Sequence, residues 1–207
     1  MIKLEEKAVH DFIEVYPRML SPKFCMDLIN YGKKVWLDST RTGQNKMVRK
    51  KKITDDNQVM LAPNLNNLLP MELYNPLRES ISKCLSMYSE KYWILQEMHP
   101  LHTFTYKFHW VKAGGGYHVW HTENMGEDSQ LRQLVFHLCL NDTQEEGSLE
   151  FLNYTKQVYP KPGTITLWPS QFTHAHRGNP MKTREKFYIT GWFYYYEPPS
   201  NKCGGCK

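Results

Sequence analysis

The spacing of apolar residues divides the chain into a helical first half and a β-rich second half. Ser21-Pro22 is typical of a helix start, with serine as the N-cap and proline at the first helical position. Apolar residues follow at helical spacing, and Gly32 predicts where this helix ends. Asn75-Pro76 predicts the start of a second helix in the same way, and residues 12–16 predict a short strand before the first. Both apolar stripes indicate helices that face a core.

From about Thr103 the helical period disappears, and short runs rich in β-branched and aromatic residues alternate with turn residues. Regular short strands of this kind are typical of a sandwich or barrel. The expected layout is therefore a β-sandwich in the C-terminal half, buttressed by the N-terminal helices. The predicted strands are Phe104–Val111, Tyr117–His121, Leu134–Leu140, Leu149–Leu152, Thr164–Trp168, Phe172–His176 and Phe187–Tyr196.

The composition fits a compact globular protein and excludes two other classes. The chain has 207 residues, of which 41% are hydrophobic and 14% aromatic, values that neither a disordered protein nor a fibre has. No apolar run reaches the ~18 residues needed to span a bilayer. Met1–Glu6 is charged and lacks the apolar stretch of a secretion signal. We therefore expect a soluble, cytoplasmic protein with no membrane association.

Cysteines and charge identify no partner. Three cysteines lie among apolar neighbours, where a reduced, buried thiol is usual. Cys203 and Cys206 form a C-x-x-C pair in the tail, which we interpret as functionally silent, with a metal or redox role as the alternative. The net charge is +5, and Arg49–Lys52 is its densest part. Such a run binds a phosphate backbone or an acidic peptide in some proteins, but it is more often a solvated loop.

Candidate metal ligands occur at two places in the β-rich half. His121 and Glu123 form an H-x-E, and residues i and i+2 of a strand face the same side, so both can converge on one ion. His174 and His176, on one face of another predicted strand, offer the third ligand. Two histidines and one carboxylate form the facial triad of non-haem iron sites, which leaves positions open for other ligands. An H-x-E alone is weak, because most histidines are surface or hydrogen-bonded residues.

Lys186 lies ten residues after His176. If His176 ends one strand and Lys186 begins the next, the ammonium group lies inside the sandwich beside the metal. A buried lysine then needs an anion, because an unpaired charge is costly there. The alternative is a solvent-exposed Lys186, since Arg184 and Glu185 flank it.

Four motifs in one order resemble those of prolyl 4-hydroxylases and procollagen lysyl hydroxylases, within the 2-oxoglutarate/Fe(II)-dependent dioxygenase superfamily. Residues 176–187 resemble the closing motif, which has His, x, Gly, x, Pro and then Lys or Arg ten residues after the His. The other three motifs are residues 113–123, like the Gly-x-x-Tyr/Phe…His-x-Asp entry, 146–151, like the Gly-Gly-x-x-x-Phe turn, and 162–170, like the Pro-Gly…Phe-Pro-Ser strand. Residues 117–121 are in addition similar to small hydroxylase-like proteins of phages and marine microbes.

This resemblance implies a mainly β fold with N-terminal helices around a double-stranded β-helix, or jelly-roll, core. It implies Fe(II), 2-oxoglutarate and O2 as cofactors, with ascorbate as a candidate further requirement. His121, Glu123 and His176 match the three metal ligands, and Lys186 matches the anchor of the distal 2-oxoglutarate carboxylate. The family usually has Asp where this chain has Glu123, so the ligand strand or the metal must adjust to a longer side chain.

Three further residues have expected positions near this site. The spacing to Lys186 selects His176 over His174 as the ligand, and His174 is then expected beside the ligands or in the pocket. The resemblance implies that Tyr106 offers its hydroxyl to the cosubstrate and that Trp192 walls the pocket. Each of these two is equally compatible with a core aromatic residue.

The resemblance also implies hydroxylation of an unactivated C–H bond, with a prolyl residue of a peptide or protein as the first expectation. A small-molecule substrate stays open. Nucleic acid is less expected, because Trp192 stands where nucleic-acid demethylases have the second arginine of an R-x5-R ending.

One oxygenase domain is expected over residues 1–200, with 1–102 as helical and strand support, 103–196 as the jelly-roll core and 197–207 as a flexible C-terminal tail. Two alternatives to an oxygenase remain. One is a non-catalytic jelly-roll binding module. The other is a zinc hydrolase, since two histidines and a glutamate also suit catalytic zinc.

Overall fold

The chain folds as two long helices followed by a β-rich half. The computed structural model describes residues 10–41, 54–61 and 69–195. Its helices are Pro22–Arg41 (α1) and Met71–Lys91 (α2). The strands within the described residues are β1 (Glu14–Tyr16), β2 (Thr54–Asp55), β3 (Asn57–Leu61), β4 (Leu101–His102), β5 (Tyr106–Val111), β6 (Gly116–His121), β7 (Arg132–Cys139), β8 (Leu149–Phe151), β9 (Lys156–Val158), β10 (Ile165–Pro169), β11 (His176–Gly178) and β12 (Lys186–Tyr195).

Two antiparallel sheets form the sandwich. The larger has the order β1-β10-β7-β12-β5-β3, with β4 paired to β12, and the smaller has the order β2-β6-β11-β8-β9. Strands that neighbour each other in a sheet are mostly not consecutive in the chain, because the chain crosses repeatedly between the two sheets. This is the arrangement of a double-stranded β-helix, and it confirms the predicted jelly-roll core with N-terminal helices.

Helix α1 begins as predicted and continues beyond its predicted end. The Phe24 N–H donates to the Ser21 hydroxyl over 3.2 Å, which is the expected N-cap bond. The prediction that Gly32 ends the helix is wrong, because α1 runs on to Arg41. A Cβ atom at position 32 would lie 2.5 Å from the ring of Phe108 on β5. Gly32 therefore permits close contact between helix and sheet instead of ending the helix.

Helix α2 begins earlier than its proline suggests. The helix starts at Met71, and Pro76 lies inside it. The N–H groups of Leu73 and Tyr74 donate to the Pro70 carbonyl over 2.9 and 2.8 Å, which closes a turn ahead of Pro76. The prediction of a start at Asn75-Pro76 is therefore wrong. Pro76 is the sixth residue of the helix and has no N–H to donate, so α2 continues through it with one i→i−4 backbone bond fewer.

The two faces of the larger sheet lie in different environments. The outer face of the sheet packs on the two helices, and Phe108 of β5 is fully buried there. Side chains alternate along a strand, so Lys107 and His109 of β5 line the space between the sheets. The apolar contact between the sheets is smaller, and Phe151, Trp168 and Trp192 belong to it. Polar groups therefore have room in the interior of the sandwich.

One predicted strand is corrected, and several were not predicted. Residues Phe172–His174 form a 3-10 turn, and the strand after it is His176–Gly178, where a single strand over 172–176 had been expected. Strands β2, β3, β4 and β9 were not among the predicted strands. The basic run 49–52 and the tail from 196 onward lie outside the described residues.

The buried thiols match the prediction from their apolar neighbours. Cys25, Cys84 and Cys139 are buried and unpaired. Burial raises the pKa of the Cys25 thiol to about 11 and that of Cys84 to about 12, so neither is a reactive thiolate at neutral pH. In the part of the chain that the structure describes, no helix combines the length and apolar character needed to cross a membrane.

We expect Gly32→Ala to lower the free energy of unfolding by about 1–3 kcal/mol, because the added methyl group overlaps the Phe108 ring. Helix propensity alone predicts the opposite, a gain of about 1 kcal/mol. Urea unfolding measures the difference, with Lys34→Ala on the same helix as the control. A Gly32→Ala protein as stable as the wild type would contradict the close contact.

Candidate metal centre

Three side chains converge at one end of the smaller sheet, two of them from neighbouring strands and one from just beyond a strand. His121 is the last residue of β6 and His176 the first of β11, and the antiparallel register places them opposite each other. Glu123 lies two residues beyond β6, where its N–H donates to the Ser170 carbonyl over 3.1 Å. One ligand atom from each of the three side chains lies within 4.8 Å of the other two. This separation suits a single coordinated ion.

The two imidazole rings are oriented by backbone carbonyls. The Nδ1–H of His121 donates to the Val119 carbonyl over 3.1 Å, and that of His176 donates to the His174 carbonyl over 3.0 Å. Both Nε2 atoms consequently face Glu123, whose Oε1 lies 3.6 Å from His121 and 3.5 Å from His176. Such bonds fix the tautomer and direction of metal-binding histidines.

The other carboxylate oxygen of Glu123 has partners of its own. The indole N–H of Trp192 donates to Oε2 over 2.9 Å, and Arg132 Nη1 donates to Oε2 over 3.2 Å. Arg132 also donates to the Glu123 backbone carbonyl over 2.8 Å, and its guanidinium lies 3.7 Å from the centre of the Trp192 ring. Oε1 is thus directed at the two histidines, and Oε2 is held by Trp192 and Arg132.

Glu123 carries a negative charge although it is partly buried. Burial raises the pKa of this carboxyl, but hydrogen bonds and charges from His121 and His176 outweigh burial and hold the pKa well below its usual value. The group is therefore an anionic oxygen donor beside two imidazole nitrogen donors. This set of donor atoms suits a divalent transition metal.

The three residues open onto a cavity of about 470 Å³ between the sheets. Among the described residues that line it, Lys107, Arg132 and Lys186 bring positive charge, and Glu123 brings the one carboxylate. Arg132 is paired with Glu123, whereas Lys186 has no acidic partner among the described residues, so the cavity favours an anionic ligand near Lys186. Its other lining residues are Gln58, His109, Tyr117, His121, Thr122, Met125, Gly126, Ser129, His137, Leu149, Trp168, His176, Gly178, Tyr188, Thr190 and Trp192.

Lys186 is a buried ammonium group without an acidic partner in the described part of the chain. Its side chain is 5% exposed, and its Nζ donates to the Gly147 carbonyl over 2.7 Å. Burial lowers the pKa of Lys186 to about 8, so the ammonium form still predominates at pH 7. Of the two alternatives considered for Lys186, a buried side chain beside the metal or an exposed one, the structure has the buried one. The side chain faces the same cavity as the three candidate ligands.

Two further cavity side chains have buried polar atoms that bond to no other described group. Both ring nitrogens of His137 and the indole nitrogen of Trp168 have no hydrogen-bond partner. Burial, with a further contribution from the charge of Lys186, holds the pKa of His137 well below its usual value, so the ring is neutral. Buried polar groups of this kind are normally paired. Together with Lys186 they form a polar surface suited to a carboxylate ligand.

Tyr106 does not join this surface, which corrects the expectation that its hydroxyl faces the cosubstrate. Its side chain lies on the outer face of β5, with its ring 6.2 Å from that of Tyr74 on α2 and 5.9 Å from that of Phe136. Neighbouring residues of a strand face opposite sides, so Lys107 and His109 line the cavity instead. Tyr106 is therefore a core aromatic residue.

His174 lies outside the ligand group, near the N-terminal segment. Its Nε2–H donates to the Asp11 carbonyl over 2.8 Å, and its Nδ1 accepts from the Thr173 hydroxyl over 2.9 Å. Burial lowers the pKa of His174. Both ring nitrogens are occupied, so the contribution of His174 to the site is its backbone carbonyl, which orients His176.

Four site residues were not among the predicted ones. Arg132 and His137 belong to no motif, and they lie on a strand whose inward face could be known only after the sheet order. Trp168 lies within the motif at residues 162–170, but that motif was not given a role at the site. His109 bonds through Nδ1 to the Asp56 carboxylate over 2.7 Å and through Nε2 to the Thr190 hydroxyl over 2.9 Å. Asp56 and His109 are far apart in sequence, and only the pairing of β3 with β5 brings them together.

Comparison with known proteins shows what the core is similar to. Residues 105–194 match the family model of the 2OG-Fe(II) oxygenase superfamily. This confirms the resemblance suggested by the motifs: the jelly-roll core is similar to that of 2OG-Fe(II) oxygenases. A comparison with curated protein sequences gives no match.

Solved structures of prolyl hydroxylases have a similar fold. The viral collagen prolyl hydroxylase of Paramecium Bursaria Chlorella virus-1, in its 2OG complex, has a TM-score of 0.66 at 16% identity, over 90% of this chain and 97% of that one. A Pseudomonas putida prolyl-4-hydroxylase gives 0.66 at 17% identity, over 90% and 94%. A Trichoplax adhaerens prolyl hydroxylase, in complex with a hypoxia inducible factor oxygen degradation domain peptide fragment, gives 0.66 at 15% identity, over 89% and 84%. The TM-scores establish a shared fold.

We expect His176→Ala to lower Mn(II) affinity by more than ~100-fold and His174→Ala to leave it within about tenfold of the wild type. The reason is that the first change removes a candidate ligand, whereas the second keeps the backbone carbonyl that orients His176. Anaerobic titration followed by electron paramagnetic resonance measures both. If His174→Ala is the variant that loses the metal, the assignment of the two histidines is wrong.

Lys186→Met should stabilise the ligand-free protein at pH 7 by roughly 1–3 kcal/mol, because it removes a buried charge. The pKa of Lys186 is about 8 in the folded state and 10.5 for an ordinary lysine, so the unfolded chain binds more protons between these values. Stability contributed by this residue therefore rises with pH across that window. Urea unfolding at pH 7 and pH 10 should show the advantage of the variant shrinking. An unchanged advantage would contradict the buried charge.

Proposed function

We propose that this protein is an Fe(II)- and 2-oxoglutarate-dependent dioxygenase that hydroxylates a prolyl residue of a peptide or protein. The observation that carries the proposal is the meeting of three convergent ligand atoms and a buried ammonium group in one cavity. A purely structural metal site has no use for the ammonium group. A cosubstrate that binds the metal at one end and carries a carboxylate at the other requires both.

In this proposal His121, Glu123 and His176 bind Fe(II) through Nε2, Oε1 and Nε2. The orientation of both imidazoles by backbone carbonyls supports it, because each ring presents its free nitrogen to the same point. Two histidines and a carboxylate leave three coordination positions for a bidentate cosubstrate and O2. A closed zinc site with four protein ligands has no such positions.

Lys186 then binds the distal carboxylate of 2-oxoglutarate. Its burial, its position in the same cavity as the candidate ligands and the lack of an acidic partner among the described residues support this role. The neutral ring of His137 and the indole N–H of Trp168 supply further polar contacts to a bound anion. A charge-assisted bond between ammonium and carboxylate offsets the cost of burying both.

The protein's own part in the reaction is to bind, orient and exclude water. When bound, iron and 2-oxoglutarate supply the oxidative chemistry that inserts an oxygen atom from O2 into a C–H bond. Lys186 fixes one end of the cosubstrate, and the ligand residues fix the other. Tyr117, whose ring stacks on His121 with centroids 3.7 Å apart, and Leu149 line the same cavity and limit water near the metal.

A prolyl substrate is supported by the similarity to prolyl hydroxylase structures, one of which contains a peptide fragment. Met125 lines the cavity close to Glu123 and is 78% exposed, so it offers an apolar surface to an entering side chain. A peptide with proline in an extended segment suits a cavity that opens to solvent. Ascorbate, which keeps iron reduced, is included in the proposed requirements.

We further propose that residues 1–200 act as one oxygenase domain. The two helices and the larger sheet share a single hydrophobic cluster, to which Leu28 of α1, Leu77 of α2 and Ile189 of β12 belong. Lys186 and Trp192 are on the same strand as Ile189. The N-terminal part therefore supports the strand that carries the proposed cosubstrate anchor.

The test is succinate release from 2-oxoglutarate under O2, with Fe(II), ascorbate and a panel of proline-containing peptides, each examined for a product heavier by one oxygen atom. We expect iron-dependent succinate and a hydroxylated peptide. If 2-oxoglutarate binds in a metal-dependent way but no peptide is hydroxylated, the proposed prolyl specificity is wrong. Absence of such binding would favour a binding module, and hydrolysis without succinate would favour a zinc hydrolase.

Lys186→Ala should weaken 2-oxoglutarate binding by about 100-fold, because it leaves the distal carboxylate in the cavity without its cation. Isothermal titration of the Mn(II)-loaded protein without O2 measures this. Lys182→Ala, an exposed lysine four residues earlier, is the matched control and should bind as the wild type does. Equal affinities for the two variants would exclude Lys186 as the anchor.

A further inference from the structure

Glu123 has partners that differ between its two oxygens. Oε1 lies within 3.6 Å of both histidine Nε2 atoms, whereas Oε2 accepts one bond from the Trp192 indole and one from Arg132. Trp192 is 3% exposed, and the Arg132 guanidinium is stacked on its ring at 3.7 Å. A second bond from Arg132, to the Glu123 carbonyl, ties the backbone to the same group.

A glutamate at this position creates a problem that a shorter aspartate does not. Its additional methylene lets the carboxylate rotate and approach a metal with both oxygens. A bidentate carboxylate would occupy two coordination positions, and together with two histidines it would leave two of six instead of three. Three are needed if a cosubstrate that chelates the metal and O2 are to bind together.

We propose that Arg132 and Trp192 are positioning residues that hold Oε2 of Glu123 away from the metal, so that this glutamate binds through Oε1 alone. The inference rests on the proposed function, since it concerns the same metal site. Two charge-assisted hydrogen bonds occupy the lone pairs of Oε2 that a metal would otherwise use. Stacking of the guanidinium on the indole keeps both donors in place, because neither can turn without losing contact with the other.

Trp192 accordingly does more than form part of the cavity wall, because its indole N–H holds Oε2 of Glu123. A phenylalanine would fill most of the same space between the sheets but has no N–H to donate. Trp110 provides a matched comparison, because its indole N–H also donates to a glutamate, Glu185, over 2.9 Å. That bond is exposed, and neither residue lines the cavity of the metal centre.

The experiment compares Trp192→Phe with Trp110→Phe in Mn(II) affinity and in the visible absorption spectrum of the Co(II)-loaded protein, which reports coordination number. We expect Trp192→Phe to lower Mn(II) affinity about 10–100-fold and to change the Co(II) spectrum. Trp110→Phe should match the wild type in both. A loss of packing alone would not change the Co(II) spectrum, so an altered affinity with an unaltered spectrum overturns the proposal.

A measurement on the unaltered protein guards against a variant that does not fold. In a ¹⁵N-tryptophan-labelled sample loaded with diamagnetic Zn(II), the Trp192 indole proton should stay downfield and exchange slowly, because its bond to Oε2 persists beside the bound metal. An upfield, rapidly exchanging Trp192 indole proton overturns the inference while leaving the metal site intact. Failure of the wild-type protein to bind any divalent metal overturns the inference and the proposed function together.

Discussion

Antiparallel pairing of β6 with β11 is the constraint on which the candidate site depends. It places two histidines that are distant in sequence opposite each other, with ring centroids 4.4 Å apart. Glu123 reaches them from just beyond the end of β6, because its backbone N–H bonds to Ser170, which directly follows β10. Displacement of this register by one residue would turn one histidine to the other face of the sheet. Strand pairing, and not the nature of the side chains alone, therefore creates the metal centre.

The larger sheet supplies the other part of the site, and it does so with the faces of strands whose opposite sides form the core. On β5, β7 and β12 the residues between core positions carry the polar groups of the cavity, among them His137 and Lys186. Burial of such groups without partners destabilises a ligand-free protein. The strands that carry them are stabilised by the apolar contacts on their outer faces, where both helices pack. The apolar contacts between the larger sheet and the two helices thus offset the cost of the buried polar groups in the site.

Sequence motifs located the parts of the site that are close together in the chain. The H-x-E and the ten-residue spacing to Lys186 identified residues that the structure brings to one cavity, and turn residues separated most of the strands. What failed depended on contacts between distant residues. Gly32 is typical of a helix end, but contact with Phe108 explains it. Tyr106 could be placed either at the cosubstrate or in the core, because one strand does not reveal which of its sides is inward. Arg132 belongs to no motif.

The candidate metal ligands and the lysine lie on opposite walls of the sandwich. His121 and His176 belong to the smaller sheet and Lys186 to the larger, so the gap between the sheets sets the distance from metal to ammonium. That gap is maintained by Phe151, Trp168 and Trp192, which pack between the sheets. Under the proposed function, a dicarboxylate one carbon shorter or longer than 2-oxoglutarate would fit only if these rings were repacked. The spacing between the two sheets would then determine the chain length of the 2-oxo acid that the protein binds.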